Sequence, residues 1–181
     1  MKDKILPSLV LCIICAVVCG LLVGAYELTY VDTTGVMTDE LTKGCDSIYA
    51  DTEFEILKDE NGEVVTFDGV TTVIVPTGDE KVCVFEVMAD GYSKNGIHVL
   101  VGVNEDLTVA GVYFLSCGET PGVGTKTQDK GYLAKYEGIT ADEIDKIDNL
   151  TGATYSSKGF KKAVKCAIEC YEQNKEAIFN E

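Results

Sequence analysis

The chain has 181 residues, of which 46% are apolar, and it carries 30 Asp plus Glu against 15 Lys, with no Arg and a formal net charge of −15. This composition excludes a disordered chain, and the acidity argues against nucleic-acid binding because an acidic surface repels phosphate backbones. Without Arg, a bound phosphate must be held by backbone amides, Lys or a covalent bond.

The first predicted element is a membrane-spanning helix. Residues 5–26 carry no charge, and at ~1.5 Å per residue they give a helix of about 33 Å, enough to cross a hydrocarbon layer of roughly 30 Å. Lys2 and Lys4 precede the run, and acidic residues follow it. By the positive-inside rule, we expect a cytoplasmic amino terminus and an extracytoplasmic remainder.

Two other kinds of amino-terminal segment fit the sequence less well. A cleaved signal peptide has an apolar region of ~7–15 residues and an A-x-A-like site, whereas this run is longer and continues into "GAYELTY". A lipoprotein signal would use Cys19, but Val18 stands where a small residue is expected. We therefore expect an uncleaved anchor in the cell membrane.

The eight cysteines do not form a metal-binding pattern. Three of them, Cys12, Cys15 and Cys19, lie in the apolar run, where Cys behaves as a small apolar residue. No two C-x-x-C pairs occur at zinc or iron–sulfur spacing, so no metal site is predicted. The pairing of the exported cysteines stays open; these are Cys45, Cys83, Cys117, Cys166 and Cys170.

Residues 27–50 mix turn formers with a short periodic stretch and predict a stalk that can hold one helix. From residue 51 to 118, alternating and β-branched segments separated by turns predict strands of a mainly antiparallel sheet. The segments are "EFEILKD", "EVVTFDG", "TTVIVPT", "KVCVFEVMADG", "IHVLVGVN" and "LTVAGVYFLSC".

The remainder of the chain predicts a loop and then helices. "GETPGVGTK" is predicted to be a loop, because its glycines and proline suit neither a strand nor a helix. Residues 128–147 show short helical patterns with a cap-like Thr140. From Phe160 the apolar residues follow helical spacing, which predicts a helix to the end of the chain. The predicted fold is α+β: residues 1–26 are the cytoplasmic terminus and anchor, and residues 51–181 form one domain with flanking helices.

The segment "NLTGATYSSKGF", residues 149–160, predicts an anion site. Small residues leave the backbone open, hydroxyls surround it, and a helix start brings unpaired N–H groups and partial positive charge. A plain N-cap with spare hydroxyls remains the alternative. The residues concerned are Thr151, Gly152, Ala153, Thr154, Ser156, Ser157, Lys158 and Lys161.

"DNLTGATYS", Asp148 to Ser156, resembles the flavinylation motif of the extracytoplasmic FMN-binding domains. This family includes the G subunit of the Rnf electron-transport complex and the C subunit of the sodium-translocating NADH:quinone reductase. In the family, a flavin transferase joins FMN through a phosphoester to the last Thr of the S/T-G-A-T core. The resemblance therefore implies covalent FMN on Thr154.

A second match, "GETPGVG" at residues 118–124, resembles the family's "ETPGLG" loop, which lies against the flavin. The order of turn, two strands and loop from "GYSKNG" onward also follows the family, so the resemblance covers about residues 88–165. Two departures are Val123 in place of the usual Leu, and Cys117-Gly118 where a His often precedes the Glu. The second departure leaves the polar surroundings of the ring open.

The resemblance also implies roles for the neighbouring residues. Asp148 and Thr151 serve the transferase or the turn, while Ser156 and Ser157 bond the phosphate or cap the helix. The loop residues Glu119, Thr120, Gly122 and Gly124 shape the loop against the ring. For Glu119 the alternative is a solvated carboxylate, and for Lys158 it is a plain surface charge. His98 has no partner motif, and no function is predicted for it.

The implied function is that of an electron-transfer subunit in a membrane-bound, ion-translocating oxidoreductase of the Rnf type, which links ferredoxin to NAD. Such a subunit is a redox carrier and not an enzyme alone, with membrane and iron–sulfur subunits as partners and a flavin transferase acting during maturation. Two alternatives stay open: a free-standing, membrane-anchored flavoprotein of extracellular electron transfer, and a flavin-free exported binding domain.

Overall fold

The computed structural model describes residues 2–29 and 35–179, which belong to two compact units, residues 1–33 and 34–181. The first unit is the helix α1, Lys2–Thr29. Its stretch Pro7–Thr29 has 23 residues with a mean hydropathy of 2.8, which makes it long and apolar enough to cross a membrane. Its apolar side chains from Leu9 to Leu28 are exposed. The predicted apolar helix is confirmed.

The second unit is built on a five-stranded sheet. The strands run β1 Phe54–Ile56, β2 Thr72–Pro76, β3 Cys83–Ala89, β4 Ile97–Val103 and β5 Val109–Cys117. Each strand pairs antiparallel with the next one along the chain, so the spatial order equals the chain order. The predicted α+β fold with an antiparallel sheet is confirmed.

Helices cover both faces of this sheet. On one face lie α3 Lys130–Leu133, α4 Ala141–Ile144 and α5 Thr154–Phe179, preceded by a 3-10 turn at Gly124–Gln128. The other face carries α2, Asp39–Ile48, which begins at an N-cap where Leu41 N donates to Thr38 Oγ1 over 3.3 Å. The stalk predicted for residues 27–50 thus contains a helix that packs on the sheet, while the domain boundaries stay a prediction.

The largest core lies between α5 and the sheet. Alternate residues of β3 point toward α5, where Phe85 meets Tyr171 edge to face at 6.3 Å between ring centroids. Near the helix start, Phe160 stacks on Phe114 of β5 at 5.4 Å. Toward its other end, the Tyr171 hydroxyl donates to the carbonyl of Lys81 over 2.9 Å. These contacts fix α5 along the sheet and so determine where its first turn lies.

One predicted strand is wrong. Residues 63–69, "EVVTFDG", contribute only an isolated bridge between Lys58 and Val64. After Val65 donates to Leu57 O over 3.1 Å, the chain turns again, and Val70 donates to Phe67 O over 3.2 Å. Gly62, just before the segment, and Gly69, its last residue, both have positive φ, so the backbone turns at either end.

The short helical patterns are confirmed as α3 and α4. Thr140 begins α4 as predicted, and its backbone N–H donates to Glu143 Oε2 over 3.3 Å, which completes a capping box. His98 lies on β4 and has a partner that the sequence did not predict, since its Nε2 is 2.7 Å from Glu86 Oε1 on β3.

All eight cysteines are free thiols, and the described residues contain no group of three or more His, Cys, Asp or Glu placed to hold a metal ion. Burial, and then the charge of Asp46, raises the pKa of the Cys45 thiol to about 12. Burial also raises the pKa of Cys83 to about 12. Both groups are therefore protonated at neutral pH, which makes them poor metal ligands and poor nucleophiles.

Candidate functional site

The two segments singled out in the sequence meet at one cleft. It has a volume of about 120 Å³ and lies between the loop after β5 and the start of α5. The lining residues are Tyr92, Thr120, Val123, Gly124, Gly152, Ala153, Tyr155 and Ser156. Five of the predicted cofactor residues are thus brought together, although 28 positions separate Gly124 from Gly152 in the chain.

Glu119 lies beneath the cleft and is not a solvated loop residue. Its side chain is only 4% exposed. Its Oε2 accepts the backbone N–H of Tyr92 and its Oε1 that of Ser93, each over 3.0 Å, while the hydroxyl of Ser156 donates to Oε2. Burial raises the pKa of this carboxyl, but the bonds from Ser156, Ser93 and Tyr92 outweigh that effect and hold the pKa below its usual value. Glu119 is therefore an anion in the folded protein at neutral pH.

The two serines of the motif are buried and already hydrogen-bonded. Ser156 donates to Glu119, and the Oγ of Ser157 accepts the backbone N–H of Leu150 over 3.0 Å. Ser157 also continues the helix through its own N–H, which donates to Ala153 O over 2.9 Å. These hydroxyls connect the helix start to the loops on either side of it.

The two threonines of the motif are exposed. Thr154 is the first residue of α5, and neither its hydroxyl nor that of Thr151 makes a hydrogen bond to any residue that the structure describes. Gly152 precedes it with a φ of +81°, a conformation that a residue with a side chain rarely adopts. The tight turn at Gly152, in which Ala153 N donates to Leu150 O over 3.0 Å, leads the chain directly into the helix.

Electrostatics at the helix start favour an anion. The first N–H groups of a helix lack intrahelical partners and carry partial positive charge. Lys158 is exposed one turn into α5 and makes no hydrogen bond or salt bridge with the described residues. Lys161 is engaged elsewhere, because its Nζ donates to the carbonyl of Ile147. Asp148 is exposed two residues before Leu150 and makes no hydrogen bond with the described residues.

The sequence did not identify three residues at the rim of the cleft. Tyr92 is 74% exposed and Tyr155 is 70% exposed, and Val123 is also exposed. Tyr92 comes from the turn "GYSKNG", which contained a signal: an aromatic residue in a glycine-bounded turn. Gly122, with a φ of +72°, donates its N–H to Thr125 Oγ1 over 2.9 Å and turns the loop at Val123 toward this rim. Exposed aromatic groups beside a cleft are typical of ligand sites.

The site fits a flavin mononucleotide by its chemistry. A phosphate suits the helix start, where N–H groups and an exposed hydroxyl are available. A cleft of about 120 Å³ is smaller than the roughly 300–1,000 Å³ of pockets that enclose a whole ligand. Most of a flavin would therefore contact the exposed rim, where two tyrosines supply aromatic surface.

Comparison with known proteins decides the family of this region, since residues 91–169 match the sequence profile of the FMN-binding domain. Residues 91–169 are an FMN-binding domain. The matched region begins at the turn that contains Tyr92 and includes β4, β5, the cleft loop and α5 as far as residue 169. These elements form the cleft.

Two curated relatives are similar to the chain. The G subunit of the ion-translocating oxidoreductase complex of Shewanella piezotolerans is 33% identical over 117 residues, covering 57% of this chain and 55% of the relative. The G subunit of the Na(+)-translocating ferredoxin:NAD(+) oxidoreductase complex of Acetobacterium woodii is 31% identical over 123 residues, covering 62% and 52%. The chain spans about half the length of the curated relatives that it matches.

Among solved structures, the crystal structure of the C subunit of the Na(+)-translocating NADH-quinone reductase from Parabacteroides distasonis is similar to the chain. It aligns with a TM-score of 0.48 and 18% identity, covering 77% of this chain and 86% of that one.

Proposed function

We propose that the chain is an electron-transfer subunit of a membrane-bound, ion-translocating oxidoreductase, and that it carries electrons on FMN joined through a phosphoester to Thr154. The observation that carries this proposal is the cleft of the FMN-binding domain, where the start of α5 meets the loop after β5. Bound FMN supplies the redox chemistry, and the protein supplies its position and electrostatic environment.

Thr154 is favoured as the attachment point by the state of its hydroxyl. Of the four hydroxyl side chains of Ser and Thr between residues 151 and 157, the two serines are buried and hydrogen-bonded, and only the two threonines are exposed. Thr154 alone combines exposure with the first position of the helix, where a phosphate is stabilised. The flavin donor is a flavin dinucleotide: Oγ1 bonds to the flavin-bearing phosphorus, the phosphoanhydride bond breaks, and the nucleoside monophosphate leaves as the hydroxyl proton is released, with a flavin transferase as the proposed catalyst.

The exposed rim suits a carrier that exchanges electrons with other proteins. Tyr92, Val123 and Tyr155 hold apolar surface in contact with solvent, so a ring lying on them stays accessible at one edge. A covalent link prevents loss of the cofactor from such an open site, since the chain has no Arg to hold a phosphate. The proposed partners are the membrane and iron–sulfur subunits of an Rnf-type complex linking ferredoxin to NAD, as the name of the Acetobacterium woodii relative suggests.

The proposed location follows from α1 and the charges around it. An apolar helix of 23 residues anchors the chain in the cell membrane, and the lysines before it favour a cytoplasmic amino terminus. The FMN-binding domain then lies on the extracytoplasmic side.

The test is production of the full chain together with a flavin transferase, followed by denaturing electrophoresis under ultraviolet light. A fluorescent band in the wild type that is lost in Thr154→Ala and kept in Thr42→Ala, an exposed threonine on α2 at the other face of the sheet, supports the attachment. A colourless wild-type band made beside an active transferase contradicts it. Solubilisation from the native membrane distinguishes a complex subunit, which co-purifies with several other polypeptides, from a free-standing flavoprotein, which emerges alone.

A further inference from the structure

We infer that Glu119 is a positioning residue that holds the two walls of the FMN cleft together, acting through Tyr92 on one side and Ser156 on the other. The inference rests on the proposed function of the cleft. In it, Glu119 acts by positioning the residues around the cofactor and does not contact the flavin ring itself.

The geometry shows one carboxylate shared between the two walls. Tyr92 belongs to the turn between β3 and β4, and its backbone N–H lies 3.0 Å from Oε2 of Glu119. Ser156 belongs to the first turn of α5 and donates to the same oxygen. Both residues also line the cleft. A displacement of the carboxylate therefore changes the separation of the walls.

The surrounding glycines show that the carboxylate occupies a space shaped for it. A Cβ on Gly91 would stand 2.6 Å from Oε1 of Glu119, and one on Gly124 would stand 2.7 Å from the Cβ of Glu119 and 2.6 Å from Oγ of Ser156. These approaches are closer than real side chains show, so the turn and the loop close around Glu119 only because their glycines lack side chains.

The chemistry requires a carboxylate. Ser156 and the N–H groups of Tyr92 and Ser93 are all donors in this arrangement, and an anion with two oxygens accepts all three bonds. In Glu119→Gln, the amide NH₂ would face a donor and break at least one bond. Loss of a hydrogen bond to a charged group should raise the population in which the two walls of the cleft have separated on the order of tenfold.

The experiment uses the full chain in detergent, produced with a flavin transferase, in wild-type, Glu119→Gln and Ser156→Ala forms. Glu172→Gln, an exposed carboxylate on the same helix as Ser156, is the matched control. Two quantities are measured: hydrogen exchange resolved to the single amides of Tyr92 and Ser93, and quenching of the flavin fluorescence by iodide.

In Glu119→Gln we expect exchange at the two amides to accelerate on the order of tenfold, and iodide quenching to rise toward that of free FMN. Ser156→Ala keeps the charge and removes a single bond, so it gives a smaller change in the same direction and serves if Glu119→Gln fails to fold. The control should match the wild type.

Wild-type quenching in both flavin-carrying variants overturns the role. If only Ser156→Ala folds, wild-type quenching in that variant overturns it. A lower melting temperature does not change this conclusion, since a purely structural group also affects stability. A wild-type chain without flavin overturns the proposed function itself and the positioning role with it. That result is distinguished from the first because the wild type is then colourless.

Discussion

The backbone N–H of Leu150 donates to Oγ of Ser157 over 3.0 Å, and this bond ties the loop before α5 to the first turn of the helix. Within the loop, Ala153 N donates to Leu150 O over 3.0 Å. The turn is thereby closed by groups other than Thr154, whose hydroxyl stays exposed beside the cleft.

Replacing Ser157 with Ala should destabilise the domain by about 1–2 kcal/mol, because the N–H of Leu150 loses its acceptor in a partly buried place. Thermal unfolding followed by circular dichroism measures the effect. Ser116→Ala, at an exposed position of β5, should change stability by less than about 0.5 kcal/mol. Equal stability of the two variants would contradict the tie between Leu150 and Ser157.

Gly152→Ala tests the turn that leads into the helix. A Cβ at Gly152 meets nothing within 4 Å, so crowding does not oppose it, but the φ of +81° costs about 1–2 kcal/mol for a residue with a side chain. Gly131 in α3 has equally open surroundings and no positive φ. Gly131→Ala should therefore be neutral or stabilise the protein by up to about 1 kcal/mol. A melting temperature of Gly152→Ala that does not fall below that of the wild type would contradict the predicted strain of a side chain at Gly152.

The carboxyl of Glu119 predicts a pH dependence of stability. Its pKa is held below the usual value in the folded protein, so it contributes stability above the ordinary Glu pKa of about 4.3, and this contribution is lost as the pH falls through the lower folded value. Denaturant unfolding of the wild type and of Glu119→Gln should therefore differ most near neutral pH and converge in acid. A difference that stays constant between pH 7 and strongly acidic solution would rule out this linkage.

The buried thiols should resist modification. Burial raises the pKa of both Cys45 and Cys83 to about 12, and both side chains are buried. A thiol reagent at mildly alkaline pH should label neither residue in the folded chain but both in denaturant, as read by peptide mass spectrometry. Labelling of Cys83 at the same rate in both conditions would show that the core opens readily.

The sequence predicted those features of the fold that local patterns determine. Alternation identified four of the five strands closely, and the spacing from Phe160 identified α5. Residues 63–69 have the composition of a strand, but with turns at both ends they form only the isolated bridge between Val64 and Lys58. Whether such a segment joins the sheet depends on its neighbours in the fold, which local composition does not reveal.

The candidate site could be predicted only in part. The motif around Thr154 and the loop from Gly118 stand out in the sequence, but the contact between them depends on how α5 packs on β5 through Phe160 and Phe114. The partners of Glu119 come from a turn 26 and 27 residues earlier and from a helix 37 residues later. Such long-range bonds leave no periodic signal, which is why the sequence alone places Glu119 against the ring or in solvent.

The most direct test of covalent flavin at Thr154 is the mass of one peptide. Cleavage after Lys146 and Lys158 releases residues 147–158, "IDNLTGATYSSK". From chain produced with a flavin transferase, this peptide should be heavier by the mass of FMN less one water, and fragmentation should assign the added mass to Thr154. An unmodified peptide, or an adduct on Thr151, Ser156 or Ser157, would contradict the proposal.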